Sequence, residues 1–170
     1  MRARRGRPAD AAELHRLVTF YADRGLLLPR PLDEIHAHAA RFIVLEHEGR
    51  IAGCVALESY ANDLAEIRSL AVAPELRGQG MGARLLREAL AAARRHKIAR
   101  VFAVTHAPEF FGRQGFAVTT RWALPEKLER DCRTCPKART CGLVACVLTV
   151  CPECIALPVL SIAAKHAPAP

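Results

Sequence analysis

The chain has 170 residues, 51% hydrophobic and 25% charged, which suits one soluble globular domain with a real core and falls short of a comfortable two. Its net charge of +8 fits an anionic ligand and an acidic substrate; aromatics at 5% are too few for a base-stacking platform, so no nucleic-acid partner is expected. The N-terminal MRARRGRPAD has no apolar run behind it and is not a secretory signal, so a cytoplasmic protein is expected.

After a short N-terminal strand, residues 8–24 read as a helix. Asp10 and Glu13 are spaced as a capping box, Leu14, Leu17, Val18 and Tyr21 share a face, and Gly25 ends it. Residues 26–31 form a connector stiffened by Pro29 and Pro31, and a second helix is expected over 32–41. Residues 42–46 and 51–57 read as a hairpin around His47-Glu48-Gly49-Arg50. An apolar strand at 64–72 stops at Pro74. Beyond it, Leu85, Leu86, Ala89, Leu90 and Ala93 mark the buried face of a long helix. A strand at 100–105, a short helix through Phe110 and Phe111 to Gly115, a strand from about Phe116 and a last strand at 143–150 complete the pattern. Residues 142–164 are apolar over a length that could span a bilayer, but Pro152, Pro158 and Glu153 interrupt them and their first half is needed as a core strand, so no membrane span is expected.

Between the 64–72 strand and the long helix lies Arg77-Gly78-Gln79-Gly80-Met81-Gly82. Glycines here let backbone amides approach a ligand without side chains in the way. The following helix points its unpaired N–H groups and positive dipole end at the same place. This is a pyrophosphate cradle, and it implies a phosphate-bearing cofactor. No Lys-Ser or Lys-Thr follows, which excludes the nucleotide P-loop, and neither register supplies the third glycine of the dinucleotide fingerprint.

Arg77, Gly80 and Gly82 instead fit R/Q-x-x-G-x-G/A, the coenzyme A motif of GNAT acetyltransferases, with Val72 five residues ahead of Arg77. Over roughly residues 3–150 the chain resembles the GNAT superfamily. It is most similar to the acetyltransferase domain of bacterial N-acetylglutamate synthases and their short stand-alone relatives. The resemblance is carried by FYADRGLLLPRPLDEI at 20–35, DLAEIRSLAV at 63–72, RGQGMG at 77–82, VFAVTHAPEFFGRQGF at 101–116 and LPEKLERDCRTCPK at 124–137. It implies a single α/β domain of GNAT fold over residues 1–150, a mixed and mostly antiparallel sheet flanked by helices; the tail at 151–170 has no counterpart.

The resemblance also implies acetyl transfer from acetyl-CoA to an amine, here the α-amine of L-glutamate, the first step of arginine biosynthesis. The alternatives are another amine acceptor (a different amino acid, a polyamine or a protein N-terminus) or a module that binds CoA or metal without turnover. By position in the family, Arg77, Gly78, Gln79, Gly80, Met81, Gly82 and Ala83 hold the diphosphate, and the backbones of Leu70, Ala71 and Val72 meet the pantetheine and the acetyl oxygen. Glu66 matches a catalytic glutamate of GNAT histone acetyltransferases and is the expected general base; its competing reading is an ion pair with Arg68. Strand alternation puts Glu66, Arg68 and Leu70 on one face. Arg30, Arg68 and Lys137 are the expected cations for the acceptor's carboxylates. Where many GNAT proteins place a tyrosine to protonate the leaving thiolate, this chain has Phe111, so the general acid is unassigned.

Cys54 reads as a core residue. Cys132, Cys135 and Cys141 are shared with the short relatives and form one candidate set for a structural zinc; Cys132 and Cys135 paired with Cys151 and Cys154 form another. Reduced thiols are the alternative, and disulfides are disfavoured without secretion.

Overall fold

The computed structural model describes residues 1–61, 63–135 and 138–154. The strands are β1 (Arg2–Arg5), β2 (Phe42–His47), β3 (Arg50–Ala61), β4 (Leu64–Val72), β5 (Arg100–Thr105), β6 (Ala117–Thr119) and β7 (Val144–Thr149). They form one sheet in the order β1-β2-β3-β4-β5-β7-β6, antiparallel throughout except where β4 meets β5. The helices are α1 (Ala11–Ala22), α2 (Leu32–Ala37), α3 (Met81–Arg95) and α4 (Pro108–Gly112). This is the expected α/β GNAT architecture.

Both faces of the sheet are covered. On one, α3 buries Leu85, Leu86, Ala89, Leu90, Ala92 and Ala93 against Leu45, Val55, Ile67 and Val101. Complete burial of a leucine contributes about 1.5–3 kcal/mol, so Leu85 and Leu86, both fully buried, anchor this helix. On the other face, Leu14, Val18 and Tyr21 of α1 and Ile35 of α2 pack on Phe42, Val44, Cys54 and Ala56. Farther along that face Leu64, Phe102, Leu124 and Ala145 form a separate cluster with Tyr60 against it.

Several elements differ in detail from the sequence reading. The first helix begins with a 3-10 turn at Pro8–Asp10, and Asp10 does not cap α1; its carboxylate instead accepts from the Arg7 amide at 2.7 Å and from Arg4. The second helix is shorter, ending at Ala37 before a 3-10 turn at Ala39–Arg41. The hairpin turn is only Glu48 and Gly49, both at positive φ (50° and 76°), the conformation that matches the twist of two tightly joined strands.

The departure with most consequence is in β4. Cys54 pairs with Ala71 and Ala56 with Arg68, so Val55 on β3 faces both Ser69 and Leu70 on β4. Ser69 sits at φ 50°, the left-handed conformation of a bulged residue. The extra residue reverses the alternation. Leu70 joins Ile67 and Val72 on the α3 side, while Ala71 turns to the α1 side. Glu66 and Leu70 therefore do not share a face, contrary to the regular-strand expectation.

Gly53, opposite Val72, is where β3 approaches this distorted segment; a Cβ there would stand 2.9 Å from the Ala71 carbonyl oxygen and 3.0 Å from Leu85 Cδ1. Gly53→Ala is expected to lower stability by about 1–3 kcal/mol, the usual cost of overpacking, read as a lower urea midpoint; an unchanged midpoint would show that Leu85 yields freely.

Candidate active site

β4 and β5 pair only through Leu64 with Arg100, Ala65 with Val101 and Glu66 with Phe102. Beyond Glu66 the strands part. Ala103 to Thr105 continue on β7, and residues 67–72 of β4 keep β3 as their partner. The result is a wedge, open toward the glycine loop, with Glu66 and Phe102 at its closed end. Backbone of Leu70, Ala71 and Val72 lines the β4 side.

At the open end a 3-10 turn at Pro74–Leu76 leads into the loop. Gly78 and Gly80 both take φ 76°, and Gly80 is the N-cap of α3. The first backbone bond of α3 runs from Arg84 to the Gly80 carbonyl at 3.0 Å, which leaves the amides of Met81, Gly82 and Ala83 without helical partners. Gly82 packs toward Phe110, whose ring would be 3.6 Å from a Cβ there. The Arg77 guanidinium stands 6.0 Å from the Tyr21 ring, and the Tyr21 hydroxyl donates to the Val72 carbonyl, tying α1 to the end of β4. A left-handed corner with free amides at a helix mouth fits a diphosphate.

At the closed end is a charge network. Glu66 is buried at 3% exposure. Lys127 Nζ donates to its carboxylate at 2.9 Å, to Asp131 at 2.6 Å and to the Tyr60 hydroxyl at 3.2 Å. Three acceptors for three ammonium hydrogens satisfy this buried lysine completely. The Tyr60 hydroxyl lies 2.7 Å from Glu66 and also contacts Asp131. Arg68 Nε is 3.5 Å from Glu66, so the in-strand ion pair exists but Lys127 is the closer cation. Burial, with the Glu66 charge beside it, pushes the Tyr60 phenol well above its ordinary range. Burial raises the Asp131 carboxyl too, but hydrogen bonds from Lys127 and Tyr60 outweigh it and hold it below the usual carboxylate range.

Arg30, one of the cations expected to meet the acceptor's carboxylates, is also buried. Its Nε and Nη2 grip Glu34 at 3.0 and 2.6 Å, and its guanidinium lies over the Phe42 ring at 5.3 Å. Arg30 Nη1 has no partner among the described residues. Glu58, directly opposite Glu66 across the β3–β4 ladder, is held by Arg41 and by Arg130 at 2.9 Å through Oε1, while Oε2 is likewise without a partner. Lys137 lies outside the described residues.

The structure does not assemble the expected zinc site. Cys132, Cys135 and Cys141 come into no ligand-distance group among the described residues; the group that does is Cys151, Glu153 and Cys154. The turn at Pro152–Cys154 brings the Cα atoms of Cys151 and Cys154 to 5.2 Å, and these two are joined as a disulfide, against the reduced state expected. That bond also removes both thiols from the alternative four-cysteine set. Cys54 is fully buried as expected, and burial pushes its thiol up to about 12. Phe111 is buried edge-on to Phe110 and Phe116 and offers no proton. Among the described residues no helix is long and apolar enough to cross a membrane, and the first half of the apolar run at 142–164 forms β7.

Sequence reading missed Tyr60, Glu58, Lys127 and Asp131. The one local signal was the i, i+4 spacing of Lys127 and Asp131. Lys127→Met, which leaves two carboxylates without their ammonium, is expected to cost about 3–5 kcal/mol at pH 7. An Asp131 carboxyl lowered by folding contributes stability present above its unfolded pKa of about 3.9 and lost as pH falls through the folded value. The deficit should therefore shrink on acidification below that pH. Urea midpoints at neutral and acid pH check both; equal midpoints for variant and wild type at pH 7 would remove the network's role in stability.

The acetyltransferase (GNAT) family profile matches residues 10–116. An uncharacterised N-acetyltransferase of Chlorobaculum tepidum is 37% identical over 147 residues, 86% of this chain and 95% of the relative. The amino-acid acetyltransferase of Mycobacterium tuberculosis is 38% identical over 116 residues, 66% of each chain. N-acetylglutamate synthase of Neisseria gonorrhoeae, solved with coenzyme A and N-acetyl-glutamate, superposes with a TM-score of 0.81 at 30% identity, over 88% of this chain and 35% of its own. The match therefore spans about a third of that synthase. With the wedge, the glycine corner and these relatives together, the chain belongs to the acetyltransferase (GNAT) family and is an acetyl-CoA-dependent N-acetyltransferase.

Proposed function

We propose that this enzyme transfers acetyl from acetyl-CoA to the α-amine of an amino acid, with L-glutamate the acceptor favoured by its relatives, which places it at the entry to arginine biosynthesis. One observation carries the reading: the wedge between β4 and β5 runs from the glycine corner to a buried carboxylate, Glu66, on the last paired residue.

In this reading the diphosphate rests on the corner at 77–83 and the pantetheine lies in the wedge beside Leu70, Ala71 and Val72. A β4 amide beyond the bulge meets the thioester oxygen. One such donor aimed at a developing oxyanion contributes about 3 kcal/mol in acyl transfer. Glu66 takes the proton from the incoming ammonium, and Lys127 and Tyr60 hold its carboxylate in place. The free amine attacks the thioester carbon, the C–S bond breaks and coenzyme A leaves as the thiolate, while the second proton shed by the new amide nitrogen passes to water or to that thiolate. Arg30, through its open Nη1, and Arg68 receive the acceptor's carboxylates, with Lys137 as a third cation.

Thiol release from acetyl-CoA across the amino acids tests the acceptor. Activity with glutamate supports the reading; activity only with polyamines or peptide N-termini replaces it. Glu66→Gln is expected to lower turnover by about 10²–10⁴ while calorimetry shows unchanged acetyl-CoA affinity. An undiminished rate at neutral pH would take Glu66 out of the chemistry.

A further inference from the structure

An ammonium that becomes an amide sheds two protons from its nitrogen. The leaving thiolate holds at most one of them near neutral pH, so each turnover sends one proton to solvent. In the reading above that proton is first taken by Glu66, whose side chain is only 4% exposed. While pantetheine and acceptor fill the wedge, the way out through it is occupied. The network around Glu66 offers another.

The Tyr60 hydroxyl touches two carboxylates. It lies 2.7 Å from Glu66 Oε2 and also contacts Asp131 Oδ2. A phenol carries one hydrogen, so it donates to only one of them at a time. Lys127 Nζ donates to the phenol oxygen at 3.2 Å, which leaves one lone pair for a second donor. When Tyr60 donates to Asp131, that lone pair is open to a protonated Glu66. Asp131 is the outer of the two carboxylates, with its side chain 23% exposed.

The surrounding cations hold both ends. Lys127 Nζ is 2.9 Å from Glu66 and 2.6 Å from Asp131, and Arg68 is 3.5 Å from the first and 3.7 Å from the second. A proton passing between the carboxylates shifts one negative charge between sites that share these cations, which limits the electrostatic cost of the transfer. Arg130 adds a contact of 3.7 Å to Asp131 alone and favours the ionised form there.

We infer that Tyr60 and Asp131 form a proton exit from Glu66, which carries the acceptor's first proton to solvent while the wedge is still filled. The inference rests on Glu66 as general base and adds how that base is cleared. The proton leaves Glu66 Oε2 for the Tyr60 oxygen as the Tyr60 hydrogen passes to Asp131 Oδ2. Two O–H bonds break and two form, and Asp131 then gives its proton to water. The hydroxyl is left donating to Glu66 and rotates back to Asp131, both being within its reach. Burial, with the Glu66 charge beside it, keeps the phenol well above its ordinary range, so the two transfers are concerted and no phenolate forms. Against the upward pull of burial, hydrogen bonds from Lys127 and Tyr60 hold the Asp131 carboxyl below the usual range, so it does not keep the proton. Tyr60 and Asp131 act only through Glu66 and touch no substrate in this scheme.

A stopped-flow single turnover in weak buffer tests this, with acetyl-CoA and L-glutamate, or the amine that thiol release selects. An indicator dye reads proton release, and loss of thioester absorbance reads C–S cleavage. In the wild-type protein proton release is expected to precede cleavage or keep pace with it. Asp131→Asn keeps an acceptor for Lys127 but takes up no proton, so its release should lag cleavage by about tenfold or more in rate, within the span of a lost proton-transfer group. Tyr60→Phe should show the same lag. A network that only positions Glu66 slows both signals together and leaves them in step, which overturns the exit. Wild-type release that waits for product dissociation overturns it as well, and that trace decides even where a variant fails to fold. Glu66→Gln cleaving the thioester at the wild-type rate removes the general base and the exit with it. Slow cleavage by Glu66→Gln beside a lagging wild type removes the exit alone.

Discussion

The site depends on one extra residue in β4. With Ser69 in the left-handed conformation, the strand gains a residue against β3 and turns its second half. A bulge sharpens local twist and re-aims the chain. Up to Glu66 β4 ladders with strands on both sides; from Ile67 on, through the bulge, it keeps β3 and parts from β5. Parallel pairing with β5 lasts for three residue pairs only. An interior strand that loses one neighbour exposes backbone amides in the middle of a sheet, where their stiffness comes from the partner they retain. The same reversal sends Leu70 and Val72 into the α3 core, which fixes the backbone that lines the wedge. Cys54, opposite Ala71, fills the space on the far face and touches the Ser69 carbonyl with its thiol at 3.4 Å.

A second constraint follows from where β3 and β4 are still paired. Glu58 and Glu66 stand directly opposite each other on one buried face. Like charges in that arrangement repel, and each carboxylate needs its own cations. The chain supplies them from a single late segment. A helical turn at Pro125–Lys127 and a π-helical turn at Leu128–Cys132 lay Lys127 on Glu66 and Arg130 on Glu58. Arg130 also stacks over the Tyr60 ring at 4.2 Å, and Tyr60 stacks edge-on against Phe102. Part of the net positive charge is therefore structural: these cations neutralise carboxylates that the sheet has already buried.

What could be read from the sequence was local. The glycine corner, the helix after it and the hairpin are each specified by neighbours in the chain, and all appear where spacing puts them. The bulge at Ser69 was invisible, because an inserted residue is defined only against the partner strand, and DLAEIRSLAV alternates well enough to read as regular. The network was out of reach for a related reason. Lys127 meets Glu66 across 61 residues of chain and Arg130 meets Glu58 across 72. In LPEKLERDC these side chains look like an ordinary solvated helix face, yet Lys127 is buried. Asp10 illustrates the opposite error, a local capping pattern overridden by a distant partner, Arg4 on the edge strand.

The two carboxylates differ in what their cations leave open. Glu66 receives Lys127, Tyr60 and a more distant Arg68. Glu58 receives Arg41 and Arg130 on a single oxygen, and the other is bare. Arg30 is built the same way, with Glu34 on two nitrogens and the third left free. Buried ions remain charged only when paired, and their pairing sets which atoms remain for a ligand. Glu34 and the two arginines thus do more than neutralise. By occupying one side of each charged group they fix its orientation and leave its remaining polar atom open, and side chains held rigid in this way lose little freedom when a partner arrives.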